Sequence, residues 1–343
     1  MRTPALLSRR VRNALCCVAL AHAALSGAAL AAKPATSPIE EASQEALWWG
    51  DFVALEKQNA FYKQANRFEP DGSAQLELFR SGMSSVFTNK VDNAEVYLEE
   101  MDRLTLQWAV EHPQSALAHI LHAQSLVEHG WSYRGGGYAK DVPPESWKEF
   151  HAYLRRAVEY LNAHADVALT DSYAHHQLLQ IGRGLGWTRA QTAAIAKDGL
   201  TRNPDDILLY FELLKGLLPK WGGNARQVDD FIKNTAEQTR AKYGNAMYAR
   251  LYSAAAEEEF GQALFEDSYA DWGKMKQAYE DMFARYPNSP DRLNRYAYMA
   301  CLAKDKDTFL KLFKEIGAGI QPKRWGPSGE RSVESCRRWA RKS

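Results

Sequence analysis

Residues 94–113 read AEVYLEEMDRLTLQWAVEHP. Apolar side chains from Val96 to Trp108 recur there at helical spacing among charged ones, which predicts an amphipathic helix over 94–110. We expect the helix to stop at Glu111-His112-Pro113, because the residue before a proline is pushed out of helical geometry. This helix and its proline stop form a pattern that can be followed along the chain.

The same helix-ending signal recurs at Asn203-Pro204-Asp205 and Tyr286-Pro287-Asn288, and a weaker form, Tyr243-Gly244-Asn245, lies between them. Apolar-periodic helices are predicted after these signals, and their ranges are 116–127, 207–217, 246–260 and 292–303. Positions 204, 244 and 287 lie 40 and 43 residues apart, longer than the roughly 34 residues of a tetratricopeptide hairpin and typical of one with insertions. Because β-hairpin signals are nearly lacking, the sequence predicts an all-α fold of tetratricopeptide-like helical hairpins stacked into an α-solenoid.

Composition is that of a folded globular protein. The chain has 343 residues, of which 45% are hydrophobic and 25% charged, enough for a substantial buried core. The formal net charge of +1 gives no case for binding nucleic acid through bulk charge. We therefore expect no nucleic-acid partner.

The first 32 residues have the pattern of an export signal. Arginines lie before position 13, an alanine-rich apolar stretch follows, and Ala29-Leu30-Ala31 ends it. This order predicts a signal peptide over 1–32, cleaved near Ala31 or Ala32, and a periplasmic location. A retained membrane anchor is the alternative, but a membrane span needs roughly 20 strongly apolar residues and this stretch is interrupted by polar ones.

The remaining sequence divides into N-terminal helices over 37–110, a helical-hairpin repeat domain over 111–320 and a basic C-terminal tail over 321–343. Such a tail can dock on an anionic surface, and the commoner alternative is a tail that folds back on the body or stays solvated. Cys301 and Cys336 are the two cysteines beyond the signal. In an oxidising compartment they can pair and hold the tail to the last helices, and two buried or free thiols are the alternative.

Four predicted turns within hairpins combine tryptophan with glycine. They are 130–137 (GWSYRGGG), 182–187 (GRGLGW), 218–223 (LPKWGG) and 272–273 (WG). Because equivalent turns of a solenoid stack along one edge, we expect a rim of binding residues, for which Trp and Arg are favoured at interfaces. The candidate binding residues are Trp131, Tyr133, Arg134, Trp187, Lys220 and Trp221. The alternative is structural, since Gly ends helices and Trp fills the gap between diverging ones.

Three segments resemble a bacterial family catalogued as domain of unknown function 4034. They are 130–138 (GWSYRGGGY), Trp147-x-x-Phe150 and 218–223 (LPKWGG). Residues 50–56 and 294–301 are also similar to that family, so the resemblance extends from about Leu47 to Trp325. It implies an exported protein with tetratricopeptide-like helices, and it implies no reaction, substrate or catalytic residue.

Histidines are the other residues with possible chemistry. His119, His122 and His129 fall within an arc of about 80° on one predicted helix, where a fourth ligand from a neighbour would complete a metal site. The rise of ~10 Å from His122 to His129 argues against one ion holding all three. A stripe of hydrogen-bonded histidines is therefore favoured, with His119 and His122 as the remaining metal candidates.

Sequence patterns of common enzymes are missing. The chain has no H-E-x-x-H and no G-x-S-x-G, and its Gly135-Gly136-Gly137 run lacks the Gly-Lys-Ser/Thr of a phosphate loop. We assign no catalytic residue and no cofactor. The sequence favours an exported interaction module for an envelope protein or peptide, and the alternative is an envelope hydrolase, with or without a metal, on the same scaffold.

Overall fold

The computed structural model describes residues 37–64, 67–137, 139–204 and 206–342. The predicted signal peptide lies outside these ranges. Within them the regular structure is helical, and β-structure is limited to the isolated bridge between Phe68 and Ala74. The predicted all-α fold is confirmed. None of the described helices has the length and apolar character needed to cross a membrane.

The α-helices are numbered here in chain order. They are α1 (Pro38–Trp49), α2 (Phe52–Tyr62), α3 (Gln75–Phe87), α4 (Ala94–Glu111), α5 (Ala116–Arg134), α6 (Pro144–Ala163), α7 (Ala165–Ala168), α8 (Ser172–Leu185), α9 (Arg189–Arg202), α10 (Ile207–Leu217), α11 (Ala225–Gln238), α12 (Arg240–Tyr243), α13 (Ala246–Ala255), α14 (Leu264–Asp267), α15 (Trp272–Arg285), α16 (Pro290–Leu302), α17 (Lys306–Ile316) and α18 (Glu330–Arg341). Short 3-10 turns lie at Ala139–Asp141, Pro219–Trp221, Gly261–Ala263 and Pro322–Arg324, and a π-helix lies at Ala256–Phe260.

Side-chain caps explain where several helices begin. Asn93 and Ser115 accept hydrogen bonds from backbone N–H groups in the first turns of α4 and α5, and Asp206 does so for α10. Such caps satisfy donors that have no partner within the helix. Helix α10 has the predicted bounds, and α4 ends one residue later than predicted, at Glu111 before His112-Pro113.

The predicted turn at 130–137 is wrong in its first half, because α5 continues through Arg134. A Cβ placed on Gly130 would lie 3.1 Å from Tyr153 Cβ and 3.2 Å from the carbonyl oxygen of Phe150, both on α6. Gly130 therefore permits close packing of two helices instead of a turn. The chain leaves the helix at Gly135, where φ is +67°.

The predicted turn at 182–187 also begins too early, because α8 continues to Leu185. Gly186 ends the helix in the left-handed conformation, with φ of 69°. The indole of Trp187 then folds back onto Gly182, where a Cβ would lie only 2.5 Å from the ring. In this turn glycine and tryptophan form a packing pair across the helix end.

Helices pack in pairs along the chain. The pairs are α4 with α5, α5 with α6, α8 with α9, α10 with α11, α13 with α15, and α16 with α17. In addition α5 contacts α8, α8 contacts α10, and α10 contacts α13. We call α5, α8, α10 and α13 the row helices, because each of them contacts the next.

The buried side chains form two large clusters. One extends from Ala46 on α1 to Ile181 on α8, and the other from Ile207 on α10 to Ala340 on α18. The predicted division between 110 and 111 falls at the last residue of α4, and the buried side chains of α4 and α5 belong to the same cluster. The two clusters adjoin where α10 packs on α8 and α9.

The predicted basic tail folds back on the last hairpin. Trp325 is fully buried, and α18 packs against α16 and α17. Cys301 on α16 and Cys336 on α18 are joined by a disulfide, with Cα atoms 5.8 Å apart. Arg338 and Arg341 stay exposed on the outer side of α18.

Candidate functional site

Arg134 lies among three indole rings. Its guanidinium carbon is 5.2, 5.4 and 5.7 Å from the ring centroids of Trp131, Trp147 and Trp221, respectively. Its Nη1 donates hydrogen bonds to the carbonyls of Gly135, at 2.9 Å, and Gly137, at 2.7 Å. Only 9% of Arg134 is exposed, and burial lowers its pKa. We call these four side chains the indole cluster. Arg134 occupies the space between the three rings, so the cluster has the geometry of an internal packing contact.

The other predicted rim residues have separate partners. Tyr133 donates a hydrogen bond to Glu95 Oε2 at 2.6 Å, and burial together with Glu95 raises the pKa of Tyr133. Lys220 Nζ donates to Glu258, at 2.6 Å to the carbonyl oxygen and 2.9 Å to Oε2. Trp187 packs on Gly182 as described above.

The fourth predicted Trp-Gly turn is the start of a helix. Trp272 is the first residue of α15, and its Nε1 donates to Asp305 Oδ2 at 2.9 Å. Among the four tryptophans of the predicted rim, the structure thus brings together Trp131 and Trp221, while Trp187 and Trp272 lie among other residues.

Each histidine of the α5 stripe has its own partner. His119 Nδ1 lies 2.8 Å from the Tyr160 hydroxyl and its Nε2 3.0 Å from the Pro113 carbonyl oxygen. His122 Nδ1 lies 3.0 Å from Thr105 Oγ1, and burial lowers the pKa of His122 to about 4. Among the residues that the structure describes, no group of three or more His, Cys, Asp or Glu side chains is placed to hold a metal ion.

A groove of about 330 Å³, not predicted from the sequence, is lined by side chains of α8, α10, α13, the π-helix, α15 and α16. His176, Glu212, Arg250 and Arg292 contribute to it from four different helices. Their positions are 36, 38 and 42 residues apart, close to the spacing of the predicted hairpins. We call this surface the groove.

Glu212 is the most enclosed charged group of the groove, with a side chain only 3% exposed. Its carboxylate lies 2.5 Å from Arg183 Nη1, 2.7 Å from Lys215 Nζ and 3.4 Å from His176 Nε2. Burial alone would raise the pKa of Glu212, but Arg183, His176 and Lys215 hold it well below its usual range. The carboxylate is therefore ionised and fixed in place.

An acidic run at 257–259 lies at the edge of the groove. Glu257 and Glu258 are exposed and still ion-paired, the first with Arg295 on α16 and the second with Lys220. The π-helix at Ala256–Phe260 changes the directions of these side chains from those of a regular helix. Two of the three acids therefore line the groove.

One signal for the groove is present in the sequence. Helix α10 reads ILLYFELLKGL, in which Glu212 and Lys215 are the charged residues. A charged residue inside an apolar helix has to find a partner when the helix is buried. The partners of Glu212 come from α8 and α10, so the sequence alone does not identify them all.

A buried ionic contact fixes the N-terminal helices to α8. Arg80 on α3 donates to Asp171 Oδ1 at 2.7 Å, and Lys63 Nζ lies 3.1 Å from the other oxygen. Asp171 also caps α8 by accepting from the Tyr173 N–H at 3.0 Å. Burial would raise the pKa of Asp171, but Arg80 and Lys63 lower it to about 2.

Comparison with models of known protein families, with curated proteins and with solved structures found no match. The chemistry of the groove is therefore argued from its own side chains. It offers cations on α10, α13 and α16, carboxylates on the π-helix, and the apolar side chains of Leu208 and Phe211. Such a surface is suited to binding a segment that carries both charged and apolar groups.

Proposed function

We propose that this chain is an exported helical-repeat protein that binds a protein or peptide partner in the bacterial envelope through the groove. Its hairpins form a tetratricopeptide-like α-solenoid in this proposal, with the row helices along one face. The signal pattern over 1–32 supports export, and the resemblance to domain of unknown function 4034 supports an exported repeat protein.

The observation that carries the proposal is the recurrence of polar, ionisable side chains at similar places. His176, Glu212, Arg250 and Arg292 come from successive first helices of the hairpins, and all four line one groove. In repeat proteins, equivalent positions of neighbouring repeats create an extended binding surface. An extended segment laid across the groove meets side chains from successive hairpins, while the buried Glu212 holds His176 and Lys215 in place.

The indole cluster has a supporting role in this proposal. Arg134 is enclosed by the rings and by the backbone of 135–137, so it is not free to contact a partner. Lys220 is exposed and pairs with Glu258 of the groove. The cluster therefore fixes the turn that holds Lys220 at the edge of the groove.

The test is affinity capture from an envelope extract with residues 33–343 as bait. The groove variant combines Lys215→Gln with Glu258→Gln, whose side chains are 34% and 39% exposed. The matched control combines Glu237→Gln with Arg240→Gln, an ion pair outside the groove with side chains 70% and 60% exposed. Both variants remove one charge of each sign, so net charge is unchanged.

We expect a specific envelope protein to be retained by wild type and by the control variant. Retention by the groove variant should fall about tenfold, which corresponds to the loss of about 1.4 kcal/mol of binding free energy. Circular dichroism should show equal helix content in all three proteins. Equal retention by the two variants, or no retained protein at all, would contradict the proposal.

A further inference from the structure

A cavity of about 370 Å³ adjoins the groove, and Arg250, Met282 and Arg292 line both. Its other charged lining includes Glu77 from α3. We call it the side cavity. Neither the indole cluster nor the groove explains the groups that face it.

The loop 67–74 forms one wall of the side cavity. Arg292 donates from Nη1 to the carbonyl oxygen of Asp71 and from Nη2 to that of Gly72, the latter at 2.9 Å. Phe68 in the same loop lies 6.3 Å from Tyr286, measured between ring centroids. These contacts join segments more than 200 residues apart in sequence, so the cavity exists only in the complete fold.

Two charged groups of the side cavity, Glu77 and Arg250, interact through their charges: burial raises the pKa of Glu77, and Arg250 is the first of the charges that oppose this rise. Among the described residues, no hydrogen bond or ion pair engages the side chain of Glu77 or the guanidinium of Arg250. Arg292 has its hydrogen bonds with carbonyl oxygens, which carry no net charge. Two guanidinium groups and one carboxylate therefore share a partly enclosed space, with an excess of positive charge.

Two other charged groups of the lining, Asp281 and Arg285, are held by the wall itself. Asp281 accepts a hydrogen bond from Asn245 Nδ2 at 2.8 Å. Arg285 donates to the carbonyl oxygen of Lys242 at 2.6 Å. Burial, with Arg250 as the next cause, lowers the pKa of Arg292, which shows that the site disfavours its own positive charges. A bound anion would relieve that cost.

We infer that the side cavity binds a small monocarboxylate with an apolar or aromatic body, its carboxylate on Arg250 and its body against Phe68 and Tyr286. Arginine presents a planar fork that matches a carboxylate with two parallel hydrogen bonds. Arg250, Arg292 and Glu77 together carry the charge of one cation, which a singly charged carboxylate neutralises and a doubly charged phosphate exceeds. The charge balance therefore favours a monoanion.

Size and wall chemistry agree with such a ligand. Ile207, Ala246 and Met282 add apolar surface to the aromatic rings of the lining. Small-molecule sites have volumes of roughly 300–1,000 Å³ and mostly apolar walls with a few polar groups. This inference goes beyond the proposed function, because it needs no partner in the groove.

The experiment is isothermal titration of the mature chain, residues 33–343, with phenylacetate, 3-phenylpropanoate and indole-3-acetate. The neutral amide of each acid, inorganic phosphate, and the dipeptide Ala-Phe are titrated in parallel, and the dipeptide distinguishes a peptide C-terminus from a free acid. Three variants are compared with wild type. Arg250→Gln removes the proposed carboxylate-binding group, and Ala284→Trp fills the cavity from an exposed position on its wall. Arg240→Gln is the control, because it removes an exposed arginine outside the cavity.

We expect at least one carboxylate to bind and its amide to bind at least about tenfold more weakly. Arg250→Gln and Ala284→Trp should each weaken binding by about tenfold or more, and Arg240→Gln should leave it unchanged. If Arg250→Gln does not fold, Ala284→Trp decides. The inference would be overturned if none of the three acids and the dipeptide binds, or if acid and amide bind equally well. It would also be overturned if phosphate binds more tightly than the acids, or if Ala284→Trp leaves binding unchanged.

Discussion

The indole rings of Trp131 and Trp221 meet almost at right angles, with centroids 6.2 Å apart and an interplanar angle of 88°. Trp131 packs against the first core cluster and Trp221 against the second. Arg134 and Arg183 each lie within 6 Å of the Trp221 ring centroid. The contact therefore joins the two halves of the molecule beside the α8–α10 packing, where Arg183 also pairs with Glu212.

Loss of the Trp221 ring should destabilise the whole chain. Trp221→Ala removes its contact with Trp131 and its contacts with both guanidinium groups, and we expect the free energy of unfolding in urea to fall by about 2 kcal/mol. The neighbouring substitution Lys220→Ala removes exposed contacts with Glu258. It should change the free energy of unfolding by less than about 1 kcal/mol. Equal effects of the two substitutions would show that the indole cluster does not join the halves.

The Asp171 carboxylate should make stability depend on pH at the acid end. Its pKa is lowered to about 2 in the folded state, below the ordinary value, so its stabilisation is present above about pH 4 and is lost as pH falls toward 2. The lowered pKa corresponds to about 2 kcal/mol.

The matching variant is Asp171→Asn, which resembles the protonated acid in shape. Unfolding free energies of wild type and Asp171→Asn should differ by about 2 kcal/mol near pH 7 and converge near pH 2. Denaturant unfolding at a series of pH values measures this difference. A difference that stays constant from pH 7 to pH 2 would show that the ion pair with Arg80 is not its source.

Reduction of the disulfide should loosen α18. Cys301 and Cys336 close a loop with a sequence separation of 35, for which the chain-entropy model gives a stabilisation of about 3 to 4 kcal/mol. The melting temperature should therefore fall when dithiothreitol is added to wild type. The double variant Cys301→Ser and Cys336→Ser serves as the control, because dithiothreitol should not change its melting temperature.

The histidines of α5 should act as packing groups. His119→Ala removes hydrogen-bond partners from Tyr160 and from the Pro113 carbonyl, and we expect a loss of about 1 to 3 kcal/mol in unfolding free energy. Because both ring nitrogens of His119 already have partners, EDTA should leave the melting temperature unchanged. A melting temperature that falls with EDTA and recovers with added zinc would restore the metal hypothesis.

Helix positions were largely predictable from the sequence because apolar periodicity, caps and prolines act locally. Helix α10 has the bounds expected from Ile207 to Leu217. The errors at Gly130 and Gly182 have a common cause. Glycine was expected to mark a turn, whereas in both places it makes room for an aromatic residue or a helix that packs against it.

The groove was not predictable in the same way. Its residues are charged side chains that are ordinary on a helix surface, and only the packing of α8, α10, α13 and α16 brings them together. The side cavity depends still more on tertiary structure, since Glu77 and Arg292 are far apart in sequence. Glu212, as a charge within an apolar helix, was the local sign that a polar surface had to lie nearby.

Site-specific photo-crosslinking tests the binding role of the groove most directly. In one protein, photoreactive p-benzoylphenylalanine replaces Phe211, which lines the groove. In a second protein it replaces the exposed Glu237. Each protein is irradiated in an envelope extract. We expect one covalent adduct of defined mass from position 211 and none from position 237. No adduct at 211, or the same adduct at both positions, would contradict a partner-binding groove.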